Sequence, residues 1–225
     1  MLDPRYRLID LFCGLGGWSI GFHREGFDCV GVDIIDVGYP YNLVTMDIHQ
    51  LKFEAGKHLR PDVIVASPPC KEFSRMSKLS AWKGQRDPPD PEGPNGMGLV
   101  REAMRVIEES KPKYWALENV MSSRPYISKL LGKPRVTANP FVLWGNFPEI
   151  LWPDSPKYKY QNRIFSKESL QIAEKNKRTL PQDFAFDPLR SWKRARMPVW
   201  VGQTVARACK EKLLLGASGV GILSV

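Results

Sequence analysis

Long apolar runs are missing from this 225-residue chain. A bilayer-spanning helix needs about 20 consecutive apolar residues, so no membrane span is expected. The opening MLDPRYRLID lacks the basic-then-apolar layout of a signal peptide, and no leader is expected either. Cysteine is scarce: Cys13, Cys29, Cys70 and Cys209 form no close pair. That spacing argues against a zinc cluster or a redox Cys-x-x-Cys and fits reduced thiols in a cytoplasmic setting. His23, His49 and His58 show no metal-ligand spacing, so no metal is expected. Internal repeats are absent too. What remains is an ordinary globular composition, long enough for one good core with room for a small lobe.

Acidic residues are also in short supply, and unevenly so. Net charge is +9, with 19 Lys/Arg facing 18 Asp/Glu through residue 150 and 14 facing 6 from residue 151 onward. A near-neutral body with a basic later region fits a small-molecule site joined to a polyanion-binding surface. A solvated basic face is the alternative that composition leaves open.

The apolar residues that are present fall into short runs. Residues 7–12 (RLIDLF) read as a first strand, followed by the glycine turn CGLGG and an amphipathic stretch over 18–25. Residues 27–33 (FDCVGVD) read as a second strand ending on an acid, and a weaker third ends near 45–47. Residues 63–66 (VIVA), β-branched and bounded by turn formers, read as a strand buried on both faces. Residues 98–110 have helical spacing, 114–118 (YWALE) suggest a fifth strand, and 202–215 a last helix. After about residue 120 the signals weaken. This alternation implies a doubly wound, mostly parallel α/β sheet. The stretch 71–97, rich in Pro, Gly, Ser and charge, is longer than most connections; such stretches are functional lids or disordered segments, and its place beside Cys70 favours a lid.

Two turns invite chemistry. Strand, glycine turn, helix, strand, acid is the layout of a nucleotide-type cofactor site, and Asp33 follows Gly16 at near the roughly 20-residue spacing such sites use. The NAD pattern GxGxxG fails, because its sixth position is Ser19. A plain tight turn stays open. At the second turn, Pro68 and Pro69 end the fourth strand by lacking N–H donors and forcing extended neighbours. Cys70 therefore sits at the carboxyl end of a buried strand, where ligands bind in open α/β sheets. The placement suits a nucleophile; a buried structural cysteine is the alternative.

Together and in order, these segments resemble the DNA cytosine-5 methyltransferase family. Residues 10–17 (DLFCGLGG) are similar to its first S-adenosylmethionine motif, and 67–70 (SPPC), followed by Phe73 and Ser74, to its nucleophile motif. Glu118-Asn119-Val120 matches the ENV signature, Gln161-Asn162-Arg163 resembles the glutamine–arginine motif, and 202–205 (GQTV) the closing cofactor motif. The resemblance implies a Rossmann-like S-adenosylmethionine-dependent methyltransferase fold. It also implies that Cys70 adds to carbon 6 of a flipped-out cytosine, raising electron density at carbon 5. The attacking form is the thiolate, so the local field is expected to favour negative charge. Glu118, emerging at the carboxyl end of its strand, would hydrogen-bond N3 and the exocyclic amine as a general acid. Asn119 would orient it or simply cap the turn. Arg163 would grip the base carbonyl oxygen or a phosphate.

For S-adenosylmethionine, the resemblance implies an aromatic surface at Phe12, the turn at Gly14, Gly16 and Gly17, and a ribose partner at Asp33 with Ile34 beside it. Asp47 is a possible acceptor for the adenine amine, or a plain surface turn. Pro69, Gly202 and Gln203 would complete the wall, while Cys13 is expected to pack rather than react. The implied division is a cofactor-binding and catalytic domain over 1–150, a small basic target-recognition lobe over 151–200, and a C-terminal helix and tail over 201–225. DNA is the implied partner, through lid residues Lys71, Arg75, Lys78, Lys83 and Arg86 and the 193–196 stretch (KRAR).

The chain also departs from the family pattern. Phe165 stands where a second arginine is usual, Gln203 where Asn is usual, and Ala206-Arg207 where prolines are usual. Fewer than 40 residues separate Arg163 from Gly202, much less than the family's target-recognition region. That shortness leaves RNA or a free cytosine nucleotide open as substrates, and a partner subunit open as the source of recognition. Phe165 and the altered closing motif leave a catalytically silent binding module open.

Overall fold

The computed structural model describes residues 6–53, 60–74, 87–138, 141–150 and 197–217. Five strands run parallel: β1 (Arg7–Leu11), β2 (Asp28–Asp33), β3 (Asn42–Thr45), β4 (Val63–Ala66) and β5 (Tyr114–Val120). Two more, β6 (Val136–Ala138) and β7 (Phe141–Asn146), form a hairpin whose second strand pairs antiparallel with β5. Among the described residues these seven make one sheet in the order β3-β2-β1-β4-β5-β7-β6. The architecture is the Rossmann-like α/β arrangement expected.

Both faces of the sheet are covered. Val63 and Val65 point into one core and Ile64 and Ala66 into the other, all four buried. Two-sided burial is why this run carries no polar alternation. Helices α1 (Gly17–Arg24) and α4 (Val199–Ala217) cover the first face through Trp18, Phe22, Val205 and Cys209. Helices α2 (Leu99–Ser110) and α3 (Arg124–Leu131) cover the second through Val100, Ala103, Val106 and Ile127.

α1 and α4 approach so closely that only glycine fits. A Cβ on Gly21 would lie 2.4 Å from the Gln203 amide nitrogen and 2.6 Å from the Val199 carbonyl oxygen, and one on Gly202 2.9 Å from the Trp18 carbonyl. Gly21→Ala is therefore expected to force the helices apart and lower stability by about 1–3 kcal/mol. Thermal unfolding checks this, and an unchanged Tm would contradict the close packing.

Several boundaries differ from the sequence reading. β5 runs on to Val120, because Glu118, Asn119 and Val120 pair with Leu143, Val142 and Phe141 of a strand distant in sequence. Phe12 leaves β1 with φ 58°, a left-handed conformation rare for a bulky residue. Helix α4 starts at Val199, three residues earlier than its apolar spacing suggests.

Strand order reverses between β1 and β4: β2 and β3 lie on one side, β5 on the other. Such a switch point opens a crevice at the carboxyl ends of the strands. Leu11 is in register with Val32 and with Ala66, and Ala66 with Leu117. The carboxyl ends of β1 and β4 thus align with Val32 near the end of β2 and with Leu117 of β5, and both turns leave from this edge.

Candidate active site

The glycine turn is tied to β2. Phe12 and Cys13 donate their amides to the Val32 carbonyl at 2.8 and 3.3 Å. The Asp33 carboxyl accepts from the Gly14 amide at 2.9 Å and the Ile34 amide at 2.8 Å. Burial raises the Asp33 pKa while these amides oppose the shift. Gly14 and Gly16 have φ +47° and +72°, and a Cβ on Gly14 would meet nothing within 4 Å, so the space beside the turn is open. Gly17 opens α1. The Ile34 side chain stands 68 % exposed next to Asp33. An open backbone turn, a carboxyl at the strand edge and a bare apolar side chain fit an adenosyl group. They offer close approach, a partner for hydroxyls and a surface for a flat ring.

The remaining cofactor candidates are more indirect. Asp47 caps the short turn Ile48–Gln50, accepting from the His49 amide at 3.0 Å and meeting His49 Nδ1 at 2.7 Å. Those bonds hold its exposed carboxyl below the usual range. It lies close to Asp33 in the fold, since the adjacent Met46 donates its amide to the Asp33 carbonyl at 2.8 Å. Gln203 donates to Glu25 at 2.8 Å, and Gly202 packs on the Gly17–Trp18 backbone. These two residues hold α1, and so bear on the turn through it.

Behind the turn lies a buried polar chain that sequence reasoning missed. Tyr39 donates to Ser19 and Ser19 to Asp10, each at 2.6 Å, while Asp10 Oδ1 has no hydrogen-bond partner among the described residues. Burial pushes the Asp10 pKa up to about 8, against the hydrogen bond from Ser19. An acid inside the apolar run RLIDLF was the available signal. Cys13 fills the room that a Cβ on Gly31 would take, with Sγ 2.6 Å from that position, and burial raises its thiol pKa.

The second turn carries the thiol. Ser67 donates its amide to the Leu11 carbonyl at 3.2 Å, Pro68 is buried, Pro69 is exposed, and Cys70 is half-buried. The Cys70 carbonyl accepts from the Phe73 and Ser74 amides at 3.1 and 3.0 Å, closing a tight turn. Buried Phe73 anchors that turn against the Tyr126 ring of α3, at 5.8 Å. Asn119 donates to the Pro68 carbonyl at 2.9 Å and accepts from the Val120 amide at 2.9 Å. It clamps the thiol's loop to β5 instead of orienting the Glu118 carboxyl.

Glu118 is 8 % exposed and lies one residue beyond the last β5 position paired with β4. It does not end its strand as anticipated, because β7 continues the pairing on the other side. Burial pushes its pKa up to about 7, and a hydrogen bond from Ser67 pulls the other way. Burial first, and then the charge of Glu118, push the Cys70 thiol up to about 11. The expected field favouring a thiolate is thus corrected. The Glu118 charge opposes ionisation of the Cys70 thiol.

Several anticipated residues lie outside the described residues: Arg163 and its motif, Phe165, His58, the lid cations Arg75, Lys78, Lys83 and Arg86, and 193–196. Lys71 is described and exposed.

Residues 6–123 match the family model of the C-5 cytosine-specific DNA methylase. The chain is 31% identical over 125 residues to a probable DNA (cytosine-5)-methyltransferase of Frog virus 3 (isolate Goorha), covering 52% of this chain and 55% of that one. It is 32% identical over 129 residues to the Type II methyltransferase M.AquIA of Picosynechococcus sp., covering 51% and 48%. The chain thus spans about half the length of these relatives. A solved methyltransferase of Entamoeba histolytica, EhMeth, aligns with TM-score 0.48 and 15% identity over 73% of this chain and 61% of that one.

Proposed function

The chain belongs to the C-5 cytosine-specific DNA methylase family, and from that premise we propose that it transfers a methyl group from S-adenosylmethionine to carbon 5 of cytosine in DNA. The observation that carries the reading is that Cys70 and Glu118 follow neighbouring parallel strands on one sheet edge, Ala66 in register with Leu117, beside the open glycine turn. S-adenosylmethionine, when bound, supplies an electrophilic methyl group. Phe12, Gly14, Gly16, Gly17, Asp33, Ile34, Asp47 and Pro69 would hold it, with Gly202 and Gln203 behind. Asp33→Ala is expected to weaken its binding roughly 10- to 100-fold, the loss of one or two hydrogen bonds to a charged group; titration calorimetry reads this directly.

Cys70 would lose its thiol proton to solvent and add as the thiolate to carbon 6 of a flipped-out cytosine, ring electrons moving toward carbon 5. After methylation, loss of the carbon-5 proton to water would break the sulfur–carbon 6 bond and restore the ring. Glu118, with a pKa near neutrality, can donate a proton to N3. While Glu118 keeps its proton, it carries no charge to oppose the Cys70 thiolate. Arg163, the basic lobe over 151–200 and the 193–196 stretch would add phosphate contacts, which position without specifying sequence.

The short interval between Arg163 and Gly202 favours a second reading in which the same chemistry acts on RNA or a free cytosine nucleotide, or a partner subunit supplies recognition. Labelled methyl transfer to duplex DNA, single-stranded DNA, RNA and dCTP, compared side by side, tests both. Transfer confined to RNA or dCTP would replace the DNA reading, and no transfer to any of them would leave a binding module.

A further inference from the structure

Resting on the reading above, we propose that Tyr39 is a positioning residue for the cofactor: its hydroxyl and ring fasten the β2–β3 loop, which carries Ile34, to the glycine turn. Tyr39 donates to Ser19 Oγ and Ser19 to Asp10 Oδ2, each at 2.6 Å. A hydroxyl has one proton. Ser19 gives its own to Asp10, so it meets Tyr39 as an acceptor, and the line runs from loop to helix to strand. The loop over 34–41, α1 and β1 are thereby joined at one point. All three side chains are buried, where a hydrogen bond is not weakened by competing water.

The ring is held as firmly as the hydroxyl. It lies between two glycines: a Cβ on Gly31 of β2 would stand 2.6 Å from Tyr39 Cζ, and one on Gly16 of the turn 3.2 Å from Cδ2 and Cε2. Pro40 follows, its Cδ 2.9 Å from that same Gly16 position. The loop is also closed on itself, since Asp36 accepts from the Gly38 amide at 2.8 Å. The Ile34 side chain stands exposed, so its place depends on the backbone that carries it. A loop released from Ser19 would spend part of its time away from the turn, and apparent affinity falls with the fraction of molecules in the competent state. The line does no chemistry. It keeps the two parts of the adenosyl site, the turn and the Asp33–Ile34 edge, in place before the cofactor arrives.

The test compares wild type, Tyr39→Phe, Ser19→Ala, their double variant and Ser110→Ala, which loses a buried hydroxyl from α2 on the other face of the sheet. Calorimetric titration with S-adenosylhomocysteine should give a Kd raised roughly 3- to 10-fold in each of the first two variants. The double variant should lose no more, because both changes break the same line. In methyl transfer, the KM for S-adenosylmethionine should rise by the same factor while kcat and the KM for DNA stay unchanged. Ser110→Ala should keep the wild-type Kd although it weakens the fold, which separates positioning from a general loss of stability. Hydrogen exchange over residues 34–41 should be faster in both single variants. An unchanged Kd in folded Tyr39→Phe overturns the inference, as do additive losses in the double variant. If wild type binds no S-adenosylhomocysteine, the cofactor reading fails instead; faster exchange over 34–41 then leaves the fastening standing, and unchanged exchange removes it too.

Discussion

Cys70→Ala is expected to abolish methyl transfer, by more than about 10³-fold, and to abolish covalent capture of DNA containing 5-fluorocytosine. Removing a nucleophile leaves only binding and electrostatic contributions to the rate. Fluorine at carbon 5 cannot depart as a proton does, so an enzyme that attacks carbon 6 stays joined to the base. The adduct is seen as a denaturation-resistant band in the presence of cofactor. A band of equal intensity from the alanine variant would remove Cys70 from the chemistry. The variant should fold, since Cys70 is half-buried and its loop is held through the Cys70 carbonyl and Asn119, not through the thiol.

Glu118→Gln should lower kcat by about 10²–10⁴-fold, the range for loss of a positioned general acid. The pH dependence is more telling than the magnitude. In wild type the proton of Glu118 is lost as pH rises through about 7, so activity that needs the protonated carboxyl falls across that point. In the glutamine variant the residual rate should lose this limb. A limb near pH 7 that survives in Glu118→Gln would belong to another group.

The same residue shapes stability. Its folded pKa lies above the ordinary value of 4.5, so below that value both folded and unfolded chains carry the proton and no penalty arises. Between 4.5 and about 7 the unfolded chain ionises first, and folding stability declines as pH rises. The wild-type deficit relative to Glu118→Gln should grow across this window to at most about 3 kcal/mol and then level off. Denaturation at pH 5 and pH 8 checks the sign.

Much of this was legible in the chain. β4 runs Val63–Ala66 as its β-branched residues suggested, and the loop leaving it holds Cys70 where Pro68 and Pro69 implied. β2 ends on Asp33, and α2 spans Leu99–Ser110. Signals that live within a few residues survived folding: prolines without donors, glycines at positive φ, and apolar runs buried on both faces. The β6–β7 hairpin was not legible, because its pairing with β5 depends on segments more than 20 residues apart. Asn119 was legible as a motif member but not as the clamp on Pro68, since side-chain partners have no local signature.

The sequence by itself determined the order of the strands along the chain, the two turns, and the identity of the thiol and the acid. Tertiary structure decided that the Trp18 indole reaches the Ser67 hydroxyl, that Gly21 and Gly202 let α1 and α4 touch, and that burial holds the Cys70 thiol protonated, pushed up to about 11. The physical reason is that hydrogen-bond direction, close contact and desolvation depend on distances between segments far apart in the chain. A pKa is set by what surrounds a group, and only folding assembles those surroundings.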